Sequence, residues 1–306
     1  MSSRIWASFL FAVVVFTFAD VTNAASTTTP IENATVNLYC LIKANGVTYS
    51  ATGSGVFIHE SGIILTNAHV AQYFLLSNDS GRAKTRCHVR DGSPAKEHYE
   101  VSLMYLSPNW AKATVEATAA KQPRKGTGEW DFALLRVTEA KKGQLPERFP
   151  ALPLNFGVPL FINGEEVTAG GYPAEGLGFR AIQKKLARVT ATSTIDRVQS
   201  FERPFQDMLA LTPSRAAASG VSGGPVVDAA DRLMGIIVTL QEGNVPKDDR
   251  SLRAITLAYI DRMFRTETGY SLAGFIADPS RIGVDVSAAP FSDLLETIKK
   301  TLRNTR

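Results

Sequence analysis

Twelve short segments rich in Val, Ile, Leu, Tyr and Phe, set out as two series of six, constrain this chain more than any other feature. The first series is 36–42, 53–58, 62–66, 85–89, 99–106 and 132–137. The second is 166–170, 187–192, 207–211, 225–227, 233–240 and 254–259. Asn-Gly, Ser-Gly, Asp-Gly and Ser-Pro pairs punctuate them, and strands of this length and density predict a sandwich or barrel. Residues 138–157, with three Pro and mixed charge, read as a linker. Two β-rich lobes of similar size are therefore expected.

The chain is long enough to give both lobes a core. At 306 residues, 44% hydrophobic and 20% charged, it is neither disordered, nor collagen-like, nor a disulfide-dense miniprotein. A net charge of +4 is too weak for a dedicated nucleic-acid binder, so no nucleic-acid partner is expected. The tail is the clearest helix: Phe291, Leu294, Leu295, Ile298 and Leu302 fall on one apolar stripe. A second helix is expected from about Ile260, carrying Met263 and Phe264 inward. Residues 111–128 read as an exposed insertion.

Residues 1–24 have the pattern of a secretory signal: Arg4, an apolar run over 5–18, then small residues ending at Ala24. The apolar run falls short of the roughly 20 residues that span a bilayer. Cleavage after Ala24, export to a periplasmic or extracellular location and no stable membrane insertion are the expectations. A short lead, 25–33, would follow. In an oxidising compartment Cys40 and Cys87 are able to pair, and closing that loop is worth about 4 kcal/mol by chain entropy. Two buried small apolar thiols are the alternative, and the sequence leaves both open.

The chemistry concentrates in Gly220-Val221-Ser222-Gly223-Gly224-Pro225. Glycines flanking a Ser permit backbone angles that turn the N–H groups of Gly220 and Ser222 toward one point, as an oxyanion requires. The Gly-x-Ser-x-Gly pattern also suits an α/β-hydrolase elbow, but there the His follows the Ser. Here all four His (59, 69, 88 and 98) precede Ser222. In Thr66-Asn67-Ala68-His69-Val70 a strand ends in a polar turn and puts His69 at a rim. In Asp131-Phe132-Ala133-Leu134-Leu135 one acid leads an apolar strand. A buried carboxylate needs donors, and the His69 ring N–H is a suitable one. Asp131 would fix the tautomer of His69, whose other nitrogen would take the Ser222 hydroxyl proton. His59, His88 and His98 are expected to be solvated. No zinc or phosphate-loop motif appears, so no metal or cofactor is expected.

Those three motifs, in that order, resemble the chymotrypsin/trypsin-like serine proteases, with the bacterial Deg/HtrA-type branch closest. Gly53-Ser54-Gly55-Val56 and Gly171-Tyr172-Pro173 add to the resemblance, which covers about 34–265. It implies an all-β fold of two perpendicular barrels (about 34–145 and 155–265) with a helical extension over 266–306. His69 and Asp131 would come from one barrel and Ser222 from the other. No aliphatic-Gly-Gly zymogen start lies between Ala25 and Asn37, so activation by a new N-terminus is not expected. With 47 residues after Tyr259, no PDZ domain of roughly ninety is expected.

The resemblance also implies a primary pocket based on Ala216 and walled by Ile237, Val238 and Thr239. Small or aliphatic residues before the cut would suit it, while Arg215, if turned inward, would favour an acid. The wall strand would pair with extended substrate. An exported endopeptidase acting on protein or peptide substrates through an acyl-enzyme is the resulting expectation. A non-catalytic or latent relative that binds peptides or a partner is the alternative.

Overall fold

A computed structural model of the chain describes residues 29–78, 84–122, 127–157, 160–238, 250–278, 284–285 and 287–304. The expected signal at 1–24 and Thr239 lie outside the described residues. In the first half, helix α1 (Pro30–Ala34) leads into strands β1 (Thr35–Ala44), β2 (Val47–His59) and β3 (Ile63–Thr66). The one-turn helix α2 (Ala68–Ala71) and a 3₁₀ stretch follow, then β4 (Lys84–Asp91), β5 (Lys96–Leu106), α3 (Pro108–Ala119) and β6 (Ala133–Ala140). The second half holds β7 (Glu166–Gly171), α4 (Phe179–Lys184), β8 (Val189–Gln199), β9 (Met208–Leu211), β10 (Pro225–Val227), β11 (Leu233–Val238) and β12 (Arg253–Thr256). Helices α5 (Leu257–Thr268), α6 (Leu272–Ile276) and α7 (Phe291–Asn304) end it.

Two closed antiparallel barrels result, in the orders β1-β2-β3-β6-β5-β4 and β10-β11-β12-β9-β8-β7. This is the all-β, double-barrel architecture with C-terminal helices that the sequence leads one to expect. Each expected segment holds one strand, although β6 runs on through the first residues of the expected linker.

Side-chain alternation explains why the strands read as they do. On β3 and β6, Ile64, Ala133, Leu135 and Val137 fill the first barrel. Their neighbours Ile63, Leu65, Phe132 and Leu134 face the other way, into a second core shared with Ile236, Val238, Ile255 and α5. Successive residues of a strand point to opposite faces. A strand buried on both faces therefore reads as an unbroken apolar run. The second core is what joins the barrels. The tail helix α7 caps the first barrel, burying Leu294, Leu295 and Ile298 in its core. Directly opposed positions on β1 and β4 bring Cys40 and Cys87 together, and the two form a disulfide.

Three expectations need correction. The segment expected as an exposed insertion is exposed or half-buried over 112–122, but it is not irregular, being mostly helix α3: the Ser107 hydroxyl accepts the Trp110 N–H at its start, and Trp110 and Ala111 reach the first core. With only those two residues fully buried, its apolar stripe is too thin to show in the sequence. The segment 254–259 is strand only to Thr256, whose hydroxyl caps α5 by accepting the Tyr259 N–H at 3.1 Å. His88 is buried, not solvated: it packs against the Tyr39 ring at 5.5 Å.

Burial pushes the His88 pKa down to about 4, opposed by Glu97 and reinforced by Arg90 and Lys141. An unfolded histidine titrates near 6.5. The unfolded chain therefore takes up this proton first, so the contribution of neutral His88 is complete above that pH and drains as pH falls toward 4. Denaturant unfolding between pH 7 and 4 should show this loss, on the order of 3 kcal/mol, and His88→Gln should flatten it. Identical pH slopes in the two proteins would contradict the assignment.

Candidate active site

The β3–β6 ladder sets Thr66 opposite Ala133. The chain leaving β3 and the chain entering β6 therefore emerge at the same rim of the first barrel. Three residues past Thr66 lies His69, on α2; two before Ala133 lies Asp131. The turn into β6 is sharp, with Gly128 at φ +88° and Trp130 at φ +55°. It is pinned where the Trp130 N–H donates to the Tyr259 hydroxyl of α5 at 3.0 Å.

Asp131 is held by His69 from two directions. The His69 backbone N–H donates to Oδ1 at 2.9 Å, and Nδ1 lies 2.7 Å from Oδ2. The Asn67 side-chain amide donates to the Asp131 carbonyl at 2.9 Å and so fixes the backbone as well. The carboxyl side chain is 7% exposed while the imidazole is 37% exposed. A sealed acceptor beside a ring nitrogen keeps the proton on Nδ1, which leaves Nε2, on the far side of the ring, as the basic nitrogen.

Ser222 arrives on the glycine turn before β10, and that turn is docked on the same corner. The Ser54 N–H donates to the Ser222 carbonyl at 2.8 Å. Gly223, at φ +84°, lies so close that a Cβ there would stand 2.2 Å from the Ser54 carbonyl oxygen and 2.4 Å from the Thr66 hydroxyl. It would also stand 3.2 Å from the Asn67 nitrogen, two residues before His69. From the other side, Val221 sinks into the second-barrel core beside Ala216, Ala217 and Ile237.

Each residue of the expected oxyanion pair lies on this turn. The Ser219 carbonyl accepts the Ala174 N–H at 2.7 Å, and in a trans peptide the N–H opposes the C=O. The Gly220 N–H is thereby directed away from the Ala174 segment. It donates to no backbone carbonyl among the described residues.

The expected pocket residues divide. Ala216 is buried in the core of the second barrel, and Val238 in the core between the barrels. Ile237 takes a different part from pairing with substrate. Its carbonyl accepts the Gly223 N–H and its N–H donates to the Gly224 carbonyl, so its backbone secures the turn that carries Ser222. Arg215 is turned outward, donating to the Thr190 carbonyl at 3.1 Å. Ser54, Asn67 and Tyr259 were not singled out by sequence reasoning. Ser54 and Asn67 each lie inside a quoted motif, Gly53-Ser54-Gly55-Val56 and Thr66-Asn67-Ala68-His69-Val70, while no local pattern marks Tyr259. Among the described residues no three His, Cys, Asp or Glu side chains converge as metal ligands.

A family model described as "Trypsin-like peptidase domain" matches residues 53–236, more than half of the chain, a span that takes in His69, Asp131 and Ser222. No curated protein matches the sequence.

The close approach at Gly223 makes a direct prediction. Gly223→Ala should force the turn away from Ser54 and Thr66 and lower the unfolding free energy by about 2 kcal/mol or more. Denaturant unfolding measures this, and an unchanged midpoint and slope would show that the turn does not pack as described.

Proposed function

The chain belongs to the trypsin-like peptidase family, and on that premise we propose that it is an exported serine endopeptidase. Ser222 attacks the scissile carbonyl while His69 Nε2 takes its proton, and Asp131 orients the imidazole and stabilises its charged form. The N–H groups of Gly220 and Ser222 hold the oxyanion. His69 then returns the proton to the leaving amine, and water, activated by the same imidazole, hydrolyses the acyl-enzyme. One observation carries this reading: the His69–Asp131 pair, 2.7 Å apart, stands at the rim where the Ser222 turn docks.

Within the family, the order and wording of the motifs support a Deg/HtrA-type protease domain over about 34–265, extended by helices over 266–306. A preference for small or aliphatic residues before the cut is supported by the apolar setting of Ala216 and by the outward turn of Arg215. Export to the periplasm or exterior is supported by the signal pattern of residues 1–24 and by the Cys40–Cys87 disulfide.

A fluorophosphonate probe and casein test the proposal together. The parent should be labelled and should cleave casein, and Ser222→Ala should do neither. Asp131→Asn should slow labelling by about 10⁴-fold through the wrong imidazole tautomer. A folded parent that neither reacts nor cleaves would overturn the proposal in favour of a peptide-binding relative. Labelling without cleavage would point to a latent enzyme or a narrow substrate range.

A further inference from the structure

We propose that Ser54, Glu175 and Arg250 are positioning residues for the oxyanion turn, clamping its consecutive peptides so that the Gly220 N–H stays available to substrate. This rests on the protease reading above and names the side chains that make its oxyanion site rigid.

The clamp works from two flanks. On the first, the Ser54 hydroxyl, fully buried, accepts the Tyr172 N–H at 2.9 Å and donates to the Gly220 carbonyl at 2.8 Å. Both hydrogen-bonding directions of this hydroxyl are used, so its geometry is determined. Its backbone N–H meanwhile holds the Ser222 carbonyl. One residue of the first barrel thus grips both ends of the Gly220-Val221-Ser222 step.

On the second flank, the Ser219 N–H donates to Glu175 Oε2 at 3.3 Å. Arg250 Nη1 reaches both oxygens of that carboxylate, at 2.9 and 2.8 Å. The Ala174 N–H, one residue before Glu175, holds the Ser219 carbonyl. Amide and carbonyl of Ser219 are therefore both tied to the Ala174-Glu175 segment.

Such restraint matters because of Gly220. At φ +104° it has the backbone freedom to let the Ser219–Gly220 peptide rotate by half a turn. Rotation would replace the N–H with the Ser219 carbonyl oxygen where negative charge must develop. Losing one oxyanion donor costs roughly 10²- to 10³-fold in rate. Hydrogen bonds to Ser219 and Gly220 on both sides oppose that rotation. The Glu175–Arg250 pair is partly exposed, with side chains 23% and 37% accessible. Pairs of that kind contribute little to global stability, so its removal should act on rate far more than on folding.

The test compares parent, Ser54→Ala, Glu175→Ala, Arg250→Gln and the Glu175→Ala/Arg250→Gln double variant. It uses fluorophosphonate labelling rates, and kcat and KM for labelled casein. Each single variant should lose about 10-fold or more in labelling rate and in kcat, with KM unchanged, as for an interaction made only in the transition state. The pH midpoint of labelling, which reports His69, should not move. The double variant should lose no more than Glu175→Ala alone, because Arg250 acts through Glu175.

Should Ser54→Ala fail to fold, the two partly exposed positions decide the matter. Parental rates per folded molecule in Glu175→Ala and Arg250→Gln would overturn the proposal while leaving the protease reading intact. A rise in KM at constant kcat would overturn it too, by making these residues part of substrate binding. An inert parent would overturn both.

Discussion

The two barrels meet along a backbone seam that has no room for a side chain. There the Ser54 N–H donates to the Ser222 carbonyl, and Gly223 lies against the Ser54 carbonyl and the Thr66 hydroxyl. Apolar burial between the barrels supplies the non-directional attraction. The seam supplies register. Ser54 is on β2 and Thr66 ends β3, so the turn before β10 is referenced to the strand whose continuation is His69.

That arrangement divides the chemistry by physical requirement. The carboxylate is sealed at the base of β6 because a buried acid strengthens its grip on a ring N–H, provided its donors are in place. His69 donates to it twice, and Asn67 and Tyr259 fix the backbone on either side. The imidazole stays partly open, as the proposed proton exchange with a substrate requires. The proposed reaction asks the Gly220 and Ser222 amides, besides the Ser222 hydroxyl, to face the reacting carbonyl, and the glycines around Ser222 give the backbone that freedom. Rigidity at the turn then comes from Val221 in the core of the second barrel and from hydrogen bonds on both sides.

Much of this was legible in the sequence, and the reasons it was or was not are physical. Barrel strands announce themselves because burial on both faces makes runs such as Ile63-Ile64-Leu65 and Phe132-Ala133-Leu134-Leu135. The α7 stripe is equally plain, since one face of an amphipathic helix repeats regularly. Helix α3 was hidden because it buries little besides Trp110 and Ala111. His88 was misjudged because the polarity of its hairpin is a local property, whereas its burial depends on Tyr39, four residues from the start of a different strand. Pairing of Cys40 with Cys87 depends on the β1–β4 register, which no local pattern specifies. Ile237 belongs to the same class: its strand was recognised, but its use in holding Gly223 and Gly224 is a long-range contact.

The most direct test of the account is a crystal structure of the protein with a peptide boronate ending in Ala or Val. The expected result is a covalent bond from boron to Ser222 Oγ, with one boronate oxygen about 2.7–3.1 Å from the Gly220 nitrogen and His69 Nε2 hydrogen-bonded to the adduct. A boronate bound elsewhere, or attached to Ser222 with its oxygen turned away from Gly220, would contradict it.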